Sequence, residues 1–316
     1  MKSGSIGKDI IHVVGIGLAL TVILTIISIG ASLAINPAAL NNVSGTPGAE
    51  NQVAIIPTVP LPTSTPTEIP CTAQEWWNSN SAAMGEVFSN ARATTINTKV
   101  PEVQKAQAAL KVWQTNFELA DKAPPCVQAV KEAALTSAKA ANDLYTVYTT
   151  TSTEQQRAQQ SVQLADKLLV LYDELDKAKV PVTDTWLVEA KDYTRGECPV
   201  ARWYEENFIA KGYNSFIKTN PKLDITKLTP AQMTDLLKQF RTLQSSLNTD
   251  KDKFPDCVKT QLVDHLITYF KAGGDALNSA LNNDLASIQG SLTIMPTELN
   301  NFYKILKTLD PKIVTQ

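Results

Sequence analysis

From Ile10 to Ile35 the chain runs through 26 consecutive residues without an Asp, Glu, Lys or Arg. As an α-helix that run is about 39 Å long at ~1.5 Å per residue, against a bilayer hydrocarbon core of ~30 Å, so it can span with some tilt. Lys2 and Lys8 precede it, and the next basic residue is Arg92. By the positive-inside rule residues 1–9 form a short cytoplasmic tail and everything after the span lies outside. A cleaved signal peptide is the competing reading, with Ser32-Leu33-Ala34 as a small-x-small site. Signal-peptide apolar regions run to only ~7–15 residues, which favours the anchor. Within the span, His12 has no second ionisable group to relay a proton to. Gly15 and Ala19 form a small-xxx-small pair through which two copies of the helix can approach and pair as a homodimer. The tail is too short for an output domain, so inward signalling would pass through a partner.

Residues 36–70 read as an extracytoplasmic stalk. Seven of the chain's 17 prolines fall here, and PTVPLPTSTPTEIP (57–70) is the stiffest part. Repeated proline fixes φ and removes donors, which favours extended polyproline II over helix or sheet. Asn42-Val43-Ser44 is an N-glycosylation sequon, which fits an outside location and says little more.

All four cysteines lie beyond the span, and their surroundings repeat. Cys71 opens CTAQEWW and Cys198 opens CPVARWY, each with Trp five residues on and a second aromatic after it. Cys126 sits in APPCV and Cys257 in FPDCV; the spacings within the two units are 55 and 59 residues. Each unit also has a proline-led helix start, at Val100-Pro101-Glu102 and at Thr229-Pro230-Ala231-Gln232. The order of these features points to a tandem duplication. Apolar residues recur at three- and four-residue steps, as in Met233, Leu236, Phe240, Leu243 and Leu247, or Leu164, Leu168, Leu171 and Leu175. That is helical periodicity, and strand alternation is absent.

The expected fold class is therefore all-α: a transmembrane helix (10–35), the stalk (36–70), and two tandem disulfide-stapled up-down helical bundles of about four helices each. Repeat 1 covers 71–180, and 181–316 holds an inter-bundle segment and repeat 2. The expected helices span roughly 72–97, 101–122, 126–149 and 153–178, with Thr151 and Glu154 capping the last. The second set spans 199–219, 230–249, 256–288 and 296–309. In such a bundle the first and third helices start at the same end, which selects Cys71–Cys126 and Cys198–Cys257 as the bridges.

Sequence excludes several chemistries. With 19% charged residues and a net charge of −2, no electrostatic ground exists for a nucleic-acid partner. No cofactor motif appears, and four cysteines with no C-x-x-C between them suit bridges rather than zinc. His265 falls beside an apolar helical stripe and reads as a core-edge histidine. Glu205/Glu206 and Asp173/Glu174 are sequence neighbours that read as solvated surface. The expectation is a non-enzyme: no catalytic, metal or cofactor residues. Trp76, Trp77, Trp203 and Tyr204, beside the bridges, are the candidate ligand or partner contacts. Trp186 and Tyr193 are expected to pack one bundle on the other. The first functional expectation is an extracytoplasmic interaction module or accessory subunit at the cell membrane, on a bacterial cell surface, meeting the bilayer through 10–35 and a protein partner. The second is a small-ligand or sensor ectodomain; a buried cavity lined by polar groups discriminates in its favour.

Overall fold

The computed structural model describes residues 72–120, 123–220 and 223–313, and these are all-helical, with no strand. The expected span, stalk and Cys71 lie outside the described residues. Among the described residues no helix is long and apolar enough to cross a membrane.

Among the described residues ten helices follow one another. The first four are α1 (Ala73–Arg92), α2 (Val100–Leu119), α3 (Gln128–Thr149) and α4 (Glu154–Lys177). After them come α5 (Thr185–Arg195), α6 (Val200–Trp203), which continues as a π-helical segment Tyr204–Ile209, and α7 (Tyr213–Thr219). The chain ends with α8 (Pro230–Asp250), α9 (Asp264–Leu281) and α10 (Leu285–Leu309). A helical turn Asp256–Val258 and a π segment Lys259–Val263 lead into α9.

Two apolar clusters form separate cores. The first gathers residues from α1 to α5, including Trp77, Phe88, Leu110, Tyr145, Leu168 and Leu187. The second gathers residues from Val200 onward, including Phe208, Phe240, Phe270 and Phe302. In α2 the buried positions are Val103, Leu110 and Phe117. They are spaced by sevens, the narrow seam of a helix packed on one side only. α4 is the opposite case. Leu164, Leu168, Leu171 and Leu175 enter the first core, while Ala158, Val162, Ala165 and Leu169 are buried on a second stripe. A helix apolar on two faces is held between two neighbours, and α4 meets α3 and α5 as well as the π segment Tyr204–Ile209.

Local signals explain several boundaries. Thr229 and Gln232 form the expected capping box of α8, with Pro230 in its first turn. The corresponding box of α4 is made by Thr153 and Gln156, so the cap lies two residues beyond the expected Thr151, and Glu154 is the first helical residue. Asn283 takes a left-handed conformation, φ 60°, and the Asp284 side chain accepts from the Ser287 N–H. Asn tolerates that region and Asp caps well, so the chain turns at 282–284 instead of continuing to 288. α10 consequently starts at Leu285 and carries Pro296 in its interior, where a helix start was expected. The inter-bundle segment contains a helix, α5, whose Leu187 and Ala190 are buried in the first core.

Cys198 and Cys257 are bridged, Cα to Cα 6.0 Å, tying the start of α6 to the turn before α9. Cys126 is also in a disulfide, while the expected Cys71–Cys126 pairing falls on a residue outside those described.

Gly273 of α9 lies against the ring of Phe240, which is fully buried on α8, and an added Cβ would overlap that ring. Gly273→Ala is expected to cost about 1–3 kcal/mol of stability through overpacking, against less than ~1 kcal/mol returned by helix propensity. Equilibrium denaturant unfolding of the full chain checks this; a neutral or stabilising result contradicts the packing described.

Candidate functional site

The helix-terminal aromatics divide between core and rim. Trp77 is buried and donates its indole N–H to Asp184 Oδ2 at 2.8 Å. Trp203 is buried among Phe208, Phe254 and Phe302. Trp76 is partly buried and lies 6.0 Å from Phe117, within the first core. Only Tyr204, stacked on Phe208, reaches a cavity wall. Trp186 belongs to the first core, between Trp77 and Phe88; it was expected to join the two halves, yet it plugs the space that Gly85 leaves open beside it. Tyr193 does reach across.

The two cores meet along α4. Glu154 accepts from Asn214 Nδ2 at 2.8 Å and pairs with Lys218 at 3.2 Å. Asp166 pairs with Arg202. Asp173 receives both terminal nitrogens of Arg195, at 2.8 and 2.9 Å. Carboxylates ascending along α4 meet partners descending in number from 218 to 195, so the chain from Arg195 to Lys218 runs antiparallel to α4.

Between these elements lies a cavity of about 570 Å³. Ala158, Ser161 and Ala165 of α4 form one wall, Ala201, Tyr204, Glu205 and Ile209 another, and Arg92, Tyr148 and Tyr193 also line it. The small side chains on α4 leave the space open. The helix opposite is wound as a π segment from Tyr204 and then broken at Gly212, φ 83°. π segments shift side chains out of α-helical register and recur at functional sites.

Glu205 is the unusual group. It is half-buried and lines the cavity. The Tyr193 hydroxyl donates to its Oε2 at 2.7 Å, with the Ser161 hydroxyl as a second donor. Among the described residues no ion pair involves Glu205, in contrast to Glu206, which is exposed and paired with Arg202. Burial pushes the Glu205 carboxyl above the usual carboxylate range, against the opposing pull of Ser161, Tyr193 and Arg92. Burial, the adjacent Glu205 charge and their hydrogen bond raise the Tyr193 phenol as well. Burial pulls the Arg92 guanidinium down, partly offset by Glu189.

Reading Glu205 and Glu206 as solvated on both of their helix faces missed this. Glu205 has Ala201 four residues before and Ile209 four after, an apolar face, whereas Glu206 has Arg202 four before it. Those neighbours separate an inward carboxylate from an outward one.

His265 Nδ1 lies 2.6 Å from Glu298 Oε2, linking α9 to α10 at a half-buried position away from the cavity. Among the described residues no hydroxyl or thiol bonds its other ring nitrogen, and no three His, Cys, Asp or Glu side chains gather as a metal-binding set. No family model, curated protein or solved structure matches this chain.

Because the folded state holds the Glu205 proton to higher pH than the unfolded chain does, its contribution to stability is full below the unfolded value, about 4.3, and is lost as pH rises through the folded value. Glu205→Gln removes this dependence. Unfolding midpoints from about pH 4 to 8 should fall for the wild type relative to the variant; parallel curves contradict the burial of an ionisable Glu205.

Proposed function

We propose that this protein is a single-pass membrane protein whose helical region stands outside the membrane on the stalk as a non-enzymatic, small-ligand-binding or sensor module. The supporting topology is the uncharged run from Ile10 to Ile35, with its flanking lysines on one side. The two cores, with the Cys198–Cys257 bridge set between helix starts, support reading the helical region as one stapled bundle written twice.

The observation that carries the ligand-binding reading is the cavity between the cores with its inward carboxylate. Volumes of ~300–1,000 Å³ with a few convergent polar groups suit small ligands. It ranks above the protein-docking reading because the exposed large apolar residues, such as Val112, Leu119, Val170 and Leu285, are distributed over α2, α4 and α10. Ligand binding between two cores can alter how they rest on each other, and a protein partner in the membrane would read that change.

The test is native mass spectrometry of the full chain, gently extracted from its own membranes. A bound small-molecule mass is expected in the wild type and absent from Ala165→Phe, which fills the cavity from α4. No bound mass in the wild type, or one retained in the filled variant, contradicts the reading.

A further inference from the structure

We propose that the cavity takes a small zwitterion of the free α-amino acid class, its ammonium on Glu205 and its carboxylate on Arg92. This inference rests on the cavity being a ligand site and adds the chemistry of its occupant.

The charged groups lining the cavity are nearly all spoken for within the protein. Glu154 holds Asn214 and Lys218. Arg157 donates to the Ser152 carbonyl at 2.8 Å and lies over the Tyr148 ring. Asp192 sits 3.5 Å from Lys191, and Asp310 accepts from the Lys312 backbone N–H at 2.9 Å. Two remain. Glu205 has hydroxyl donors and no cation within pairing distance among the described residues. Among the described residues Arg92 makes one hydrogen bond, at 3.2 Å to the Trp186 carbonyl, and a loose approach of 3.9 Å to Glu189.

A guanidinium carries five donors in a fork suited to a carboxylate, so Arg92 has most of its capacity unused. A carboxylate has about four lone-pair sites, and two hydroxyls leave Glu205 room for an ammonium. The two groups sense each other's charge without touching. Half-buried charges that lack a close partner pay part of the desolvation cost of a buried one, and one neutral ligand bearing both opposite charges relieves both. A pure cation would leave Arg92 as it is, and a pure anion would leave Glu205. The volume of about 570 Å³ exceeds what the two charged groups need, and Tyr148 and Ile209 on its walls offer apolar surface to a side chain.

The experiment follows thermal unfolding of the full chain in detergent with three probes. They are an equimolar mixture of the free protein L-amino acids, the same amino acids N-acetylated, and the same as carboxamides. Only the free set should raise Tm, by about 3–5 °C at roughly tenfold over Kd. Glu205→Gln and Arg92→Gln should each weaken binding about tenfold or more, the scale of a lost charge-assisted contact. If Arg92→Gln does not fold, Arg92→Lys, which keeps the charge and loses the fork, should still bind more weakly than wild type. An equal shift from either blocked set, or unchanged affinity in the variants, overturns the inference. So does no shift from any set. In that case a small molecule retained in the native mass spectrum leaves the cavity reading standing, and its absence removes both.

Discussion

The packing of α4 between the two cores is the constraint on which the rest of the structure depends. Its leucine stripe completes the first core, and its second stripe, Ala158, Val162, Ala165 and Leu169, faces away from it. Along the same helix Glu154, Asp166 and Asp173 meet Lys218, Arg202 and Arg195 in antiparallel order. Partly exposed ion pairs of this kind contribute about 0–1 kcal/mol each, so adhesion comes mainly from the buried stripe. The pairs instead fix register, since a slip of one turn would misalign all three together.

That register has a functional consequence. Two of the four residues on the second stripe are alanines, and the facing chain is wound as a π segment and then broken at Gly212. Neither side fills the gap, and Glu205 is turned into it beside Tyr193 from α5. An ordinary α-helix through 200–219 would place its side chains in a different register. The cavity therefore follows from the same feature that joins the halves.

Much of the fold was legible in sequence because helical periodicity and capping chemistry are local. The Thr229–Gln232 box and the Cys198–Cys257 bridge appear as read. What failed depended on competition between local signals or on distant partners. Pro296 looked like a helix start, but the turn at Asn283 and Asp284 prevailed because an Asn in the left-handed region and an Asp cap end one helix and begin the next within three residues. Helix α5 and the place of Trp186 depend on the space beside Gly85, which no local pattern reveals. The second stripe of α4 was written in its sequence, masked by the stronger leucine signal. Glu205 and Glu206 were assigned to two faces of one helix and both read as solvated, whereas only Glu206 is exposed.

The central claim is that Glu205 is a half-buried carboxylate at the junction of the two cores with, among the described residues, no cation of its own. Side-chain carboxyl carbon chemical shifts, followed by NMR as pH is varied and assigned by comparison with Glu205→Gln, test it most directly. The account predicts that this carboxyl titrates above the ordinary glutamate value of about 4.3. Titration of Glu205 at or below that ordinary value would mean a solvated or ion-paired group, and would contradict it.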